Sequence, residues 1–357
     1  MTLCFLFSPL MLHHHAYGDV QAPRDLYQLC QNFVLETKQI HIPNHPFAFN
    51  PSIIRYGDHY LLSFRMKDPI LHTTNTMGLI FLDENFEPIS NTYLLKMKSR
   101  ESFFFSQEQD PRILYVSDKI CIVFNNVWKK NVELDKGPLG NEIRRMITAE
   151  ITFDGNHFLI DHAQWLLNFD TEKDTKTEKN WVPFSYQDTL HLAYSIFPHR
   201  IFQYVEGTSS CNPIALSYNP AQWNWGGLRG GSQALIVGDE YLSFFHTCKD
   251  MVTVQSDGER MVHYFMGAYT FSQHPPFEVT KMSKEPIIAD TFYTSPPYQT
   301  WKPLRVVFPG GFIFDEDFIW VVYGKQDHEC WVIKLDKSKF LNSLISIKKN
   351  TQPKQTS

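Results

Sequence analysis

The sequence predicts an all-β chain folded as a five-bladed β-propeller with long inter-strand loops and a short C-terminal helix. Three observations point there: an apolar hairpin pattern that occurs five times, turn aspartates at blade-like spacing, and a wealth of aromatic residues. The 357 residues include 29 Phe, 16 Tyr and 8 Trp, and flat, rigid side chains pack well on a pleated surface.

Each hairpin reads as an apolar β-rich run, a tight turn centred on Asp or Gly, and a second apolar run. The first spans Ile53 to Leu62 across Gly57-Asp58, and the second spans Ile113 to Val123 across Ser117-Asp118. A weaker third copy runs from Phe184 to Tyr194 and turns at Gln187-Asp188. The fourth spans Ala234 to Leu242 across Gly238-Asp239, and the fifth Gly311 to Trp320 across Asp315-Glu316-Asp317. Asp58, Asp118, Asp188, Asp239 and Asp317 are thus roughly 50 to 80 residues apart, a spacing suited to blades with long loops.

Further strands are expected over 78–82, 145–153, 263–271 and 329–335, bringing each blade towards four. A helix is expected over 337–345, and Lys348 to Ser357 reads as a polar tail. The same hairpins would also fit a two-sheet sandwich or two small β-domains. No Pro/Gly/Ser-rich linker divides the chain, however, and the strands outnumber those of an ordinary sandwich. The expected organisation is an N-terminal extension over 1–40, the propeller over 41–346 and a disordered tail over 347–357.

Composition narrows the function. Hydrophobic residues make up 43% and charged residues 20% of the chain, ample for a sizeable core. The formal net charge is −5 and no basic block stands out, so neither nucleic acid nor an anionic membrane is an expected partner. The six cysteines include no CxxC pair, which favours free or buried thiols over a disulfide framework. The apolar run Leu3 to Leu12 is too short to span a bilayer. It has the length of a signal-peptide core but lacks a preceding Lys or Arg. A cytoplasmic location is expected, with export by a weak N-terminal signal as the alternative. No metal site is expected: His13-His14-His15 lies in a terminal tract, and His191, His199, His246 and His263 are widely spaced.

Several short segments, each weak alone, fall in a telling order: Asn50-Pro51 with Arg65, Gln109-Asp110-Pro111-Arg112, Glu178-Lys179-Asn180-Trp181-Val182-Pro183-Phe184, and Pro198-His199-Arg200. After them come Gly230-Gly231-Ser232, Tyr264-Phe265-Met266-Gly267-Ala268, Val307-Phe308-Pro309-Gly310-Gly311 and Tyr323-Gly324-Lys325-Gln326-Asp327. This series resembles the mannoside phosphorylases and hydrolases of glycoside hydrolase family 130 and their β-mannosyltransferase-like relatives. It covers roughly residues 45 to 335, with Gln109 where the family has Glu.

The resemblance implies a carbohydrate-active enzyme acting on β-mannosides or similar glycans by glycosyl transfer, phosphorolysis or inverting hydrolysis. It implies Asp110 as the general acid/base, whereas the residues alone read Asp110-Pro111 equally well as a turn opener. Asn50, Arg65, Asn180, Asp327 and Tyr264 are expected to bind substrate, although Tyr264 could instead pack between blades. Arg112, Lys179, His199 and Arg200 are the expected phosphate ligands; Arg112 carries a planar fork of donors suited to an oxyanion, but could equally hold Asp110 in place. No cofactor is expected, with inorganic phosphate, a sugar phosphate or a nucleotide sugar as co-substrate. The alternative is a non-catalytic propeller that binds a glycan or a protein. The segment Trp223 to Gly231 reads equally as a sugar-stacking loop over the pocket or as a tight crossing between blades.

Overall fold

A computed structural model describes residues 22–67, 75–97, 107–130, 142–168, 177–218, 223–294 and 304–347. These residues form five antiparallel sheets arranged as a five-bladed β-propeller. Blade I holds Ala48–Tyr56, His59–Lys67, Asn75–Leu82 and Tyr93–Leu94, in order from the axis outwards. Blade II holds Gln109–Val116, Lys119–Lys130, Glu142–Phe153 and Phe158–Trp165, with Lys96–Met97 added in parallel at its outer edge. Blade III holds Val182–Tyr186, Thr189–Ser195, His199–Tyr204 and Cys211–Ser217.

In blade IV, Arg229–Gly230 and Leu235–Val237 both pair with Glu240–Val252, which is followed by Arg260–Ser272, Val279–Met282 and Ile345–Ser346. Blade V holds Val307–Phe314, Phe318–Lys325, Glu329–Asp336 and, from the other end of the chain, Val34–Ile40. All five sequence-predicted hairpins are present, including the weak third one.

The continuous apolar runs have a direct cause. Successive side chains along a strand point to opposite faces, and here both faces of a blade are buried against neighbours. Leu61 faces the core between blades I and II while Leu62 faces the core between I and V. Ile113 and Leu114 divide in the same way between blades I and III, and Phe244 and Phe245 between blades V and III. Five apolar clusters result, one in each inter-blade gap, which closes the ring. Trp181 is fully buried in the cluster between blades II and III.

Two boundaries differ from the sequence reading. Val34–Ile40 is not part of an extension, because it pairs antiparallel with Glu329–Asp336 from Val34↔Leu335 to Ile40↔Cys330. Its distant position in sequence hid this partner. The helix spans Lys337–Ser343, with the Asp336 side chain capping Lys339 N at 2.9 Å. It stops short of Ile345 because Ile345–Ser346 pairs with the outer strand of blade IV.

The short N-terminal run and the three adjacent histidines lie outside the described residues, as does most of the tail. Among the described residues, no helix is long and apolar enough to cross a membrane, and Cys30, Cys121, Cys211, Cys248 and Cys330 are unpaired.

Candidate functional site

The site is built where the inner strands begin. Asn50, Asp110 and Asn180 have φ values of 49°, 56° and 63°, a left-handed conformation that Asn and Asp adopt more readily than other side-chain-bearing residues. The ladder slips at Phe49/Ser52, at Gln109/Arg112 and at Pro309/Gly311. Such bulges re-aim side chains, and here they bring polar groups of several blades together. Close backbone approach completes the arrangement: a Cβ on Gly324 would lie 2.0 Å from Asn50 Oδ1, and one on Gly310 2.0 Å from the Pro51 carbonyl oxygen.

Asp110 is the centre of this cluster. Its Oδ1 accepts from Asn50 Nδ2 at 2.8 Å and from Arg65 Nη1 at 3.2 Å. Arg65 also donates from Nε to Asn75 Oδ1 at 2.7 Å, and Asn75 Nδ2 donates to Gln107 Oε1 at 3.0 Å. Arg144 donates to the Gln107 carbonyl at 2.8 Å and to Glu142 Oε2 at 2.5 Å. The Gln109 carboxamide turns its oxygen to Arg65 Nη2 and Arg144 Nη2, both 3.0 Å away, because guanidinium nitrogens only donate. Lys179 Nζ lies 3.4 Å from the same carboxamide.

Arg112 is fully buried and has a different task. Its guanidinium donates to the Gly231 carbonyl and, at 3.4 Å, to the carbonyls of Asp110 and Gly230. It also reaches Asn180 Oδ1 at 3.5 Å. One side chain thereby ties together the inner strand ends of blades II, III and IV.

The electrostatics follow from this packing. Burial alone would raise the Asp110 pKa, but Arg65 foremost, then the Asn50 hydrogen bond, Lys179 and Arg112, outweigh it and bring it down to about 2. Burial lowers Lys179 to about 8, helped by Arg144 and opposed by Asp110. Lys67 is lowered to about 8 by burial, with Asp327 pulling the other way. Burial raises the Asp327 pKa against the opposing pull of Arg65 and Lys67, and Asp110 adds to the rise. Glu108 is buried and pushed up to about 7 by that burial.

The predicted residues Asn50, Arg65, Asp110, Arg112, Lys179 and Asn180 therefore meet, and Asp327 lies within electrostatic reach of Arg65 and Asp110. Tyr264 stands on the blade IV side, its ring stacked with His246 at 6.0 Å; burial raises its pKa, and Arg229 pulls the other way.

His199 and Arg200 are not in the cluster. They lie on the third strand of blade III, about 9–10 Å out from the inner one at ordinary strand spacing. The His199 ring is buried against Tyr269 and Phe271, with Nδ1 2.7 Å from the Phe277 carbonyl oxygen, and Arg200 stacks over Tyr194. Trp223 and Trp225 pack into blade IV, bonding Thr247 and Glu285, instead of offering open faces to a sugar.

Sequence reasoning missed Lys67, Asn75, Arg144, Arg229 and His246. A signal existed for two of them. Arg144 sits with Arg145 between apolar neighbours Ile143 and Met146, and Lys67 extends an apolar strand already ended by Arg65. Both Lys67 and Arg65 lie over the Phe49 ring, at 5.0 and 4.8 Å.

Among the described residues, no group of three or more His, Cys, Asp or Glu converges as a metal site. A cavity of about 560 Å³ lies between blades II and III, lined by Asp118, Lys119, Glu150, Asp188 and Glu206 among others. It is at the opposite end of the inner strands and contains none of the Asp110 cluster.

Neither a protein-family model nor a curated protein matches the chain. Solved structures do resemble it. A mannose phosphorylase from Leishmania mexicana, in complex with a phosphate ion, superposes with a TM-score of 0.58 at 12% identity, covering 92% of this chain and 95% of that one. A β-1,2-mannobiose phosphorylase from Listeria innocua, in complex with β-1,2-mannobiose, gives 0.55 at 15% identity over 86% and 92% of the two chains. A glycosyl hydrolase from Bacteroides ovatus gives 0.57 at 14% identity over 82% and 85%. At these identities the likeness is one of fold.

Proposed function

We propose that the chain is a carbohydrate-active enzyme that uses the polar cluster around Asp110 to act on β-mannosides or similar glycans, by glycosyl transfer, phosphorolysis or inverting hydrolysis. One observation carries this reading: an ionised Asp110 stands beside Arg65, Arg144 and Lys179, which come from three successive blades. Glycosidic chemistry needs a carboxyl group to handle a proton at the reacting centre. A cluster of cations suits a co-substrate that carries phosphate: inorganic phosphate, a sugar phosphate or a nucleotide sugar. The shared fold with a mannose phosphorylase holding a phosphate ion adds support.

Within this reading Asp110, charged at neutral pH, accepts the proton of an attacking hydroxyl. Lys179 and Arg144, with Arg65, face the anionic group; Arg112 holds the strand ends that aim Asp110. Asn180, Asp327, Asn50 and Tyr264 offer donors and acceptors to sugar hydroxyls. No organic cofactor takes part.

The test is to incubate purified protein with a mannosyl phosphate or GDP-mannose plus mannose, and separately with mannobiose with and without phosphate. New or consumed oligosaccharide in one mixture identifies the reaction. Glycan binding without turnover in all of them would make the chain a non-catalytic binding propeller.

A further inference from the structure

The gap between blades II and III stays open at its hairpin-turn end, where the gaps on either side of it are filled. In blades I and III the residue just before the turn is a tyrosine, Tyr56 or Tyr186. Each lies among aromatic rings in the gap to the next blade, Tyr56 against Phe81 at 5.3 Å and Tyr186 against Phe277 at 5.1 Å. Blade II has Val116 at this place, facing blade III. The wall beyond it is also built of short side chains. Cys121 and Val123 face blade III, and their cross-strand partners Glu150 and Thr148 share that face. With no ring to fill it, the gap holds a cavity of about 560 Å³, within the size range of small-molecule sites.

The floor is apolar except at one point. Val116, Cys121 and Leu190 line it together with Thr148, which is only 4% exposed and whose hydroxyl bonds no described residue. A buried hydroxyl ordinarily has a partner, and this one faces open space that a ligand can enter. The rim is charged and one-sided. Lys119 binds Glu150 at 2.7 Å and reaches across to Glu206 of blade III at 3.6 Å. Asp118 and Asp188, from the turns of blades II and III, line the same cavity without an ion-pair partner among the described residues. His162 adds an imidazole, turned there by the bulge between Asp161 and Gln164. Four carboxylates thus stand against one lysine and one histidine, which favours a cation at the mouth.

We propose that this cavity binds an amino alcohol: a short apolar stem with an ammonium group at one end and a hydroxyl at the other. The stem lies along Val116, Cys121 and Leu190. The ammonium stays at the solvated mouth beside Asp118 and Asp188, where a charge need not be buried, and the hydroxyl at the inner end exchanges a hydrogen bond with Thr148 Oγ1. The site is at the far end of the inner strands from Asp110, and the glycoside reading does not bear on it.

The experiment titrates the whole protein at low ionic strength with α,ω-amino alcohols from aminopropanol to aminohexanol, followed by ligand-observed NMR. Butanediol, which lacks the charge, and butylamine, which lacks the hydroxyl, are the controls. The best amino alcohol is expected to bind saturably, about fivefold tighter than butylamine and at least about tenfold tighter than butanediol. Thr148→Val keeps the shape of the side chain and should bind the amino alcohol and butylamine equally. Asp118→Asn/Asp188→Asn alters two exposed turn positions, and Asn tolerates the left-handed backbone at 188; it should weaken amino alcohol binding about tenfold. Val116→Tyr supplies the ring that the neighbouring gaps possess and should abolish binding, with thermal melting to check that each variant is folded. Absence of saturable binding, butanediol bound as tightly as the amino alcohol, or a double Asp variant that binds like wild type would overturn the proposal. So would a preference for the amino alcohol over butylamine that persists in Thr148→Val.

Discussion

A buried histidine that accepts no proton leaves a measurable trace in acid. Burial lowers the pKa of His199 to about 4 and, with Arg112 and Arg229 nearby, that of His246 to about 3, whereas an unfolded histidine titrates near 6.5. Between those values the unfolded chain binds protons that the native one refuses. Stability from these groups is thus fully present above about pH 6.5 and falls as the pH drops towards 4, by about 1.4 kcal/mol per pH unit for each. Glu108, raised to about 7 by burial, acts in the opposite sense over an overlapping window, because its native form holds a proton that the unfolded form releases. The Asp110 contribution is lost only below about pH 4, as the pH falls towards its native value of about 2. Comparison with a variant therefore isolates one histidine. His199→Gln, followed by urea unfolding at several pH values, is expected to flatten the acid slope between pH 6.5 and 4 by about 1.4 kcal/mol per unit; an unchanged slope would mean that His199 is charged in the native protein. At this scale Asn50, Asp110 and Asn180 were legible only through the ordered motifs that carry the resemblance; their left-handed backbone, which Asn and Asp tolerate, shows only in the structure. Sequence reasoning misplaced His199 and Arg200, because a motif does not say which strand of a blade it occupies.

The hairpin is the element that carried most of the prediction, since two strands and a tight turn form a local unit whose signal lies within about twenty residues. Gly57, Ser117, Asp188 and Gly238 all turn with φ between 55° and 61°, which explains the Gly at 57 and 238; Asp58, Asp118 and Asp239 each follow the left-handed residue instead of occupying it. What stayed hidden was the contact between elements. Gly324 and Gly57 have the same composition and opposite surroundings: Gly57 meets nothing within 4 Å of an added Cβ, whereas Gly324 faces Asn50 Oδ1 at 2.0 Å and Asn50 N at 2.7 Å. Gly57→Ala is expected to cost about 1–2 kcal/mol through its φ of 59° alone, leaving turnover unchanged. Gly324→Ala must push blade V away from the first bulge, costing about 1–3 kcal/mol. Because Asn50 bonds Asp110, it should also lower turnover of the folded enzyme at least tenfold. Thermal melting and initial rates on the two variants check both parts, and equal rates in the two would show that the Asn50–Gly324 contact does not position Asp110.

Ring closure is a property of the whole molecule, and the chain achieves it by joining its two ends in one sheet. Val34–Ile40 completes blade V, Phe33 packs edge-on against Phe340 at 5.4 Å, and Gln31 bonds the Pro286 carbonyl at 2.6 Å and Ile288 N at 3.1 Å. This was the least legible feature, because Val34 and Leu335 are neighbours only in space and a seven-residue strand of half-polar pattern announces no partner. Its loss should nevertheless be felt everywhere. Burial of Phe33 and Ile40 contributes about 1.5–3 kcal/mol each, and the strand's ladder hydrogen bonds add about 1 kcal/mol apiece. Together these approach the 5–15 kcal/mol by which a typical domain is stable at all. A chain beginning at Ala22 is expected to melt cooperatively. One beginning at His41 exposes the Glu329–Asp336 edge and opens the cluster shared by blades I and V, so it should lose cooperative melting or aggregate. The Asp110 cluster draws on blades I to IV and is approached by Asp327 from blade V, so glycan binding should disappear with the melting transition. Retention of a sharp transition near that of the longer chain would show that the four remaining inter-blade cores hold the ring without its closing strand.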